Sequence, residues 1–250
     1  MATAKLYVIL GSHACRTGML MLEHKGIPYE LLTLPAGVHP LAVRLAGFTP
    51  EGGRKIDDKP HRMLALADHL GTVPALRLDG ERVMTNRKIS RFLDQRQPQP
   101  PLFPGDPAAR EQVEEIECWG DETLQMAARR TILAATVQDQ VIDGGADGRL
   151  GPLLFHNDLM RRTSARIFGV TFAVGSAGEA RLLTEARGML EQIDGWITKG
   201  LLNGEELNAA DLMLAPSVAL LSYHRELAPE IEQRPVGHLL DRLLPLGAPT

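Results

Sequence analysis

The stretch Ser12-His13-Ala14-Cys15 places a hydroxyl and a thiol three residues apart, between the apolar run of residues 5–10 and a helical pattern over residues 15–25. Unpaired backbone N–H groups at a helix start favour a bound anion, and a thiolate is an anion. Two chemistries fit these residue types. Ser12 can donate its hydroxyl to a sulfur carried by a ligand, lowering that thiol's pKa from about 8.5 without itself becoming a nucleophile. Cys15 can supply the sulfur instead, since a helix N-terminus lowers a thiol's pKa. With serine at the first position the pair cannot cycle as a dithiol. The simpler role for Cys15 is a small buried residue of the first helix.

Other chemistries lack their residues. The eight histidines form no HExxH or paired metal spacing, so no metal is expected. The phosphate-loop pattern G-x-x-x-x-G-K-[ST] and the G-x-S-x-G elbow are both missing, so Ser12 beside His13 is not a hydrolase pair. Neighbouring residues in such a turn point apart. A net charge of −4 gives no electrostatic case for nucleic acid or an anionic membrane. No apolar run approaches the roughly 20 residues of a membrane span, and the start shows no signal-peptide core. Two cysteines cannot build a disulfide framework, so a reducing cytoplasm is the expected compartment.

The elements that must position Ser12 follow from periodicity and punctuation. Residues 5–10 read as a buried strand and residues 15–25 as a helix stopped by Gly26 and Pro28. Residues 29–34 read as a second strand, parallel to the first because a helix crosses between them. Residues 35–60 read as irregular, interrupted by Pro35, Pro40, Pro50, Pro60 and the Gly52-Gly53 pair, and residues 61–70 as helical. Asp79-Gly80 joins the short strands 75–78 and 81–84, a hairpin signal because a type I′ turn needs positive φ at both positions. Asn86 is expected to cap a helix over 87–96.

Residues 97–101, Gln-Pro-Gln-Pro-Pro, cannot continue that helix and make a semi-rigid connector. Beyond it the pattern is helical throughout. Pro107 suits the first position of a long helix reaching about Gln140, with a Gly-rich break at 144–151 and further helices near 156–168, 179–201, 209–226 and 235–244. Asn208 and Asp211 form an Asn-x-x-Asp capping box flanked by the Leu207/Leu212 staple, a folding device rather than a site. The expected fold is a β-α-β-α-β-β-α unit over residues 1–97, a linker at 97–106, and an all-helical domain over 98–250.

This order resembles the glutathione transferase superfamily over essentially the whole chain: a thioredoxin-like first domain followed by a helical bundle. The matching motifs are the first strand with Ser12–Cys15 and Leu22-Glu23-His24-Lys25-Gly26-Ile27-Pro28-Tyr29-Glu30, then Gly71-Thr72-Val73-Pro74-Ala75-Leu76, Asn86-Arg87-Lys88-Ile89-Ser90-Arg91-Phe92-Leu93, and Asn208-Ala209-Ala210-Asp211. The resemblance implies a cis Val73-Pro74 bond whose residue-73 backbone pairs with a peptide-like ligand. It places Ser12 at the catalytic Ser/Cys position and Tyr7 at the tyrosine position used by other classes. It places Thr85 and Asn86 where the γ-glutamyl end of glutathione is held.

Two departures stand out. Thr85 replaces an acidic or Gln residue that would meet the ligand's ammonium, and Asn86 replaces the serine that holds its carboxylate; Arg87 can compensate for the carboxylate only. Arg54, Lys55, Lys59 and His61 lie in a segment longer than the family's, as solvated loop charges or as partners for an anionic group. The reading is an enzyme that activates glutathione or another low-molecular-weight thiol as co-substrate for attack on a small electrophile. Ser12 is catalytic, Val73, Pro74, Thr85 and Asn86 bind the thiol, and Cys15, Tyr7 and Arg87 are secondary candidates. A homodimer is implied, with neither nucleic acid nor membrane as partner. The alternatives are a non-catalytic binding protein of the same fold, or a thiol-dependent reductase or lyase working through Cys15.

Overall fold

A computed structural model of the chain describes residues 4–50, 55–56, 59–60, 71–141, 149–151 and 178–247, with the single positions 163, 167, 172 and 174. The helices expected at 61–70 and 156–168, and the side chains of Arg54, Lys55, Lys59 and His61, lie outside the described residues.

The first strand, β1 (Ala4–Val8), buries Ala4, Leu6 and Val8 on one face, as period-two alternation requires. It runs parallel to β2 (Tyr29–Thr33), Leu6 facing Leu31, with α1 (His13–His24) crossing between them. Gly26 takes φ +62° just past the helix end, the left-handed stop its sequence predicts. On the other side β1 pairs antiparallel with β5 (Ala75–Leu78), which pairs with β6 (Glu81–Met84). The turn between them has φ 51° at Asp79 and 87° at Gly80, both positive as the hairpin demands. The sheet order is β2-β1-β5-β6, a mixed sheet of the thioredoxin-like kind.

The segment after β2 is more ordered than its prolines suggest. It holds a short helix, α2 (His39–Leu45), and two two-residue strands, β3 (Lys55–Ile56) and β4 (Lys59–Pro60). Pro40 does not break α2, because it stands in the first turn where no intrahelical N–H is needed.

After the hairpin comes α3 (Asn86–Arg96), then the connector with a cis Gln99-Pro100 bond. Asp106 caps α4 (Pro107–Trp119) by accepting from Ala109 N at 2.9 Å, with Pro107 at the first helical position. The single long helix expected here is interrupted by one π turn, Gly120–Leu124, before α5 (Gln125–Val137). Gly120 explains the place: a Cβ there would lie 2.7 Å from Leu214 and 2.8 Å from Met213, so backbone meets another helix directly.

That other helix is α7 (Ala209–Leu221), every residue of which is buried. It is the axis of the helical region: α1, α4, α5 and α9 (Pro235–Leu243) all pack on it, and α6 (Glu179–Thr198) packs on α5 and α9. Asn208 Oδ1 accepts from Ala210 and Asp211 N, and Asp211 returns a bond to Asn208 N, so the expected box is formed. The pattern expected over 209–226 ends at Leu221, and a further helix, α8 (Leu227–Glu232), follows.

Candidate functional site

Ser12 is the N-cap of α1. Its backbone is extended (φ −82°, ψ 114°), and its Oγ accepts from Cys15 N at 3.4 Å. The side chain is half-buried, and its hydroxyl proton remains available for donation. The three faces of the first turn of α1 then diverge, because successive residues step by about 100° around the axis.

One face carries His13. It is buried and its Nε2 meets Gln125 O at 3.2 Å, tying α1 to the start of α5. Burial pulls the imidazole down to about 3, and the Arg129 charge acts in the same direction. His13 is therefore neutral, turned away from Ser12 and into the helical region.

A second face carries Ala14 and Gly18. Asn86 Nδ2 donates to Ala14 O at 3.0 Å, and a Cβ on Gly18 would lie 3.3 Å from Pro74. This corrects one expectation for Asn86. The cap of α3 is Thr85, whose side chain makes no capping bond, and Asn86 is the first helical residue. Asn86 is 2% exposed and its amide faces α1, with Oδ1 buried and unpartnered. An asparagine is long enough to reach the α1 backbone, which a serine at that position is not.

Thr85 adopts φ 71°, ψ 144°, an unusual conformation for a β-branched residue, and its N–H meets Pro74 O at 3.4 Å. The Val73-Pro74 bond is cis, and the Val73 carbonyl accepts from the Thr72 hydroxyl at 3.5 Å. Val73, Pro74, Thr85 and the start of α3 thus meet beside α1.

The third face carries Cys15 and Met19. Cys15 is 1% exposed, with Ile9 N 3.5 Å from its Sγ. Burial pushes the thiol up to about 11, outweighing the Ser12 contact, the Ile9 N–H and the Arg129 charge, which pull it down. The thiolate expected from the helix N-terminus is therefore not favoured; desolvation wins.

The remaining candidates are otherwise engaged. Tyr7 packs edge-on against Phe48, ring centroids 5.2 Å apart. Arg87 reaches Glu122 at 3.0 Å and lines an open cavity of about 460 Å³ between α3 and α4 that also exposes Cys118 and Trp119. Among the described residues no group of three His, Cys, Asp or Glu side chains could hold a metal, and no helix is long and apolar enough to cross a membrane.

Sequence reasoning missed one polar group that supports the site. Glu117 on α4 is wholly buried and accepts from Ser90 Oγ at 2.6 Å and from Arg91. It binds α3, and so the Thr85–Asn86 corner, to the helical region. Burial pushes its carboxyl above the usual range. The sequence signal was a glutamate on the apolar stripe between Val113 and Leu124.

Residues 6–101 match the family model described as glutathione S-transferase, N-terminal domain. Among solved structures, the chain is similar to a glutathione S-transferase of Ceriporiopsis subvermispora in complex with glutathione, at 18% identity over 96% of this chain and 95% of that one, TM-score 0.64. Poplar glutathione transferase F1 aligns at 14% identity over 97% and 92%, TM-score 0.59. A glutathione S-transferase from Rhodospirillum rubrum aligns at 20% identity over 97% and 92%, TM-score 0.54. No curated protein matches the sequence. Residues 6–101 thus match a glutathione S-transferase N-terminal domain, and the chain shares the glutathione S-transferase fold.

Proposed function

We propose that the protein is a glutathione-transferase-like enzyme in which Ser12 stabilises the thiolate of a bound low-molecular-weight thiol, glutathione first among them. The observation that carries this reading is the contrast within one turn of α1. The Ser12 hydroxyl is half-exposed at the helix N-terminus, whereas the Cys15 thiol is buried and protonated. The hydroxyl donates to the ligand's sulfur, and the helix N-terminus favours its negative charge.

The Val73 backbone, Pro74, Thr85 and the first N–H groups of α3 hold the peptide-like part of the thiol. The electrophile enters between a first domain of residues 1–97 and a helical domain of residues 98–250, joined by the linker 97–106. The enzyme works as a cytoplasmic homodimer. Glutathione bound in the fungal structure supports this choice of thiol.

A second reading, a non-catalytic binding protein of the same fold, is favoured by one observation: the Asn86 side chain is turned onto Ala14 and Thr85 carries no charge for the ligand's ammonium. The test is thermal unfolding with glutathione, cysteine and other small thiols. A thiol at 100 times its Kd adds about 2.7 kcal/mol of stability. No shift with any thiol overturns the enzyme reading.

A further inference from the structure

Ser90 stands at a fork. Its Oγ is 2.6 Å from Glu117 Oε1 on α4 and 3.0 Å from the carbonyl oxygen of Arg87, one turn back along α3. Both partners are acceptors when Glu117 is ionised, and a hydroxyl has one proton, so it serves one of them at a time. Ser90 and Glu117 are both fully buried. Arg91 joins the same fork: its Nη1 donates to Glu117 Oε2 and lies 3.0 Å from Ser90 Oγ and 3.2 Å from Arg87 O.

The proton on Glu117 sets the direction of this chain of bonds. As a carboxylate, Glu117 accepts from Ser90 and from Arg91, and two charge-assisted bonds hold α3 to α4. As a carboxylic acid, it donates its own proton to Ser90 Oγ, the Ser90 proton turns to Arg87 O, and Arg91 loses its counter-charge. One proton enters from solvent at Glu117, and the Ser90 hydroxyl reorients without losing its own. The far end of the chain matters because Arg87 belongs to the first turn of α3, the turn whose N–H groups the thiol reading assigns to the ligand.

Burial pushes the Glu117 carboxyl up against the pull of Ser90, Arg91 and Arg87, which moves its titration toward neutral pH. The charged groups of the elements packed on α4 have other partners. Asp211, the one charged residue of α7, accepts from Asn203 N and Asn208 N. In the π turn Asp121 accepts from Gln125, and Glu122 from Arg87. On α4 itself Glu114 accepts from Arg110, and Glu111 and Glu115 line the open cavity.

Resting on the thiol-site reading above, we propose that Glu117 is a positioning residue that puts the thiol site under pH control. Its carboxylate, acting through Ser90 and Arg91, holds the first turn of α3 in the ligand-binding arrangement. Its protonated form releases that hold and weakens the bound thiol. Glu117 itself touches no ligand.

The probe is S-methylglutathione, whose blocked sulfur removes the ionisation that Ser12 governs and whose carboxylates titrate below the range used. Its dissociation constant is measured by calorimetric titration of the full chain from pH 7.0 to 5.0. The unaltered protein should lose at least fivefold in affinity over this range. Glu117→Gln keeps an acceptor for Ser90 but cannot ionise, so its affinity should stay within twofold throughout, at the weaker level. A purely structural Glu117 would instead lower affinity by the same factor at every pH. Ser90→Ala cuts the chain to Arg87 while leaving the Glu117–Arg91 pair. It should flatten the profile as well, and it carries the test if Glu117→Gln fails to fold. Asp211 also titrates at about 6, and its part cancels because every variant keeps it.

An affinity constant within twofold in the unaltered protein, or an equal slope in Glu117→Gln, overturns the pH control and leaves the thiol-site reading standing. A slope that survives in Ser90→Ala overturns the route through Ser90. No binding of S-methylglutathione or of glutathione at any pH overturns both.

Discussion

The Lys25 ammonium lies 2.7 Å from Asp94 Oδ1, with the lysine side chain entirely removed from solvent. Its other two protons go to Gln97 O at 2.8 Å and Pro100 O at 2.6 Å, so every donor is used. The residue just past α1 thereby fastens the end of α3 and the connector, while Asp94 Oδ1 also accepts from Leu102 N at 2.8 Å. Removing the carboxylate alone leaves a buried charge uncompensated. Asp94→Ala should cost about 3–5 kcal/mol in urea unfolding, whereas Lys25→Met, which replaces the charge by an apolar chain of similar length, should cost clearly less. Equal losses would mean that the ion pair itself, rather than the stranded charge, dominates.

Thr85 holds φ 71° with no side-chain cap to compensate it. Such a conformation costs a non-glycine residue about 1–3 kcal/mol, and glycine's extra chain entropy returns about 0.5–1 kcal/mol of any gain from relieving it. Thr85→Gly should therefore stabilise the protein by about 1 kcal/mol in urea unfolding, and Thr85→Val should not. A destabilised glycine variant would mean that contacts of the threonine side chain outweigh the strain.

Local chemistry made much of this fold legible, and tertiary reach hid the rest. Asp79-Gly80 fixed the hairpin because positive φ is a property of those two residues alone, and Asn208 with Asp211 fixed a helix start within four positions. Ser12 was legible as a hydroxyl at a strand-to-helix junction, and the structure adds that it caps the helix by accepting from Cys15 N three residues on. Asn86 carries an equally good capping signal, yet its amide bonds Ala14, 72 positions away, so the cap passed to Thr85. Lys25 reads as a surface charge near a helix end until Asp94, Gln97 and Pro100 are folded around it. The depth of Cys15 decided its chemistry, and depth is set by the whole sheet rather than by the helix start.

His13 makes stability depend on pH. Its ordinary value is 6.5 and burial pulls it down to about 3. Between those values the unfolded chain takes up a proton that the folded chain refuses, so stability falls as pH drops, by up to about 1.4 kcal/mol per pH unit. Asp211 acts oppositely: burial pushes its carboxyl from 3.8 up to about 6, so the folded chain takes the proton first over that window and gains stability as pH falls. Comparison with His13→Asn separates the two, since both proteins keep Asp211. The advantage of the unaltered protein over the variant should shrink by about 2 kcal/mol or more between pH 6.5 and 4.5 in urea unfolding. An advantage that stays constant over this range would show that His13 is not held neutral.

Ser12 has two duties that substitution can separate. Its oxygen accepts from Cys15 N, a capping bond worth about 1 kcal/mol, and its proton is assigned to the ligand's sulfur. Ser12→Ala removes both; Ser12→Asn keeps the cap and removes the hydroxyl; Ser12→Thr keeps both. If the hydroxyl stabilises a thiolate, Ser12→Ala and Ser12→Asn should each lose about 10²-fold in kcat, comparable to removing one donor from an oxyanion site. The ultraviolet absorbance of bound glutathione thiolate should titrate at higher pH in both. Only Ser12→Ala should also lose stability, and Ser12→Thr should retain activity within tenfold. Cys15→Ala should keep activity within a few-fold, because its thiol is buried and pushed up to about 11. Loss of activity in Cys15→Ala with retention in Ser12→Asn would reverse the assignment and leave Cys15 as the reacting thiol.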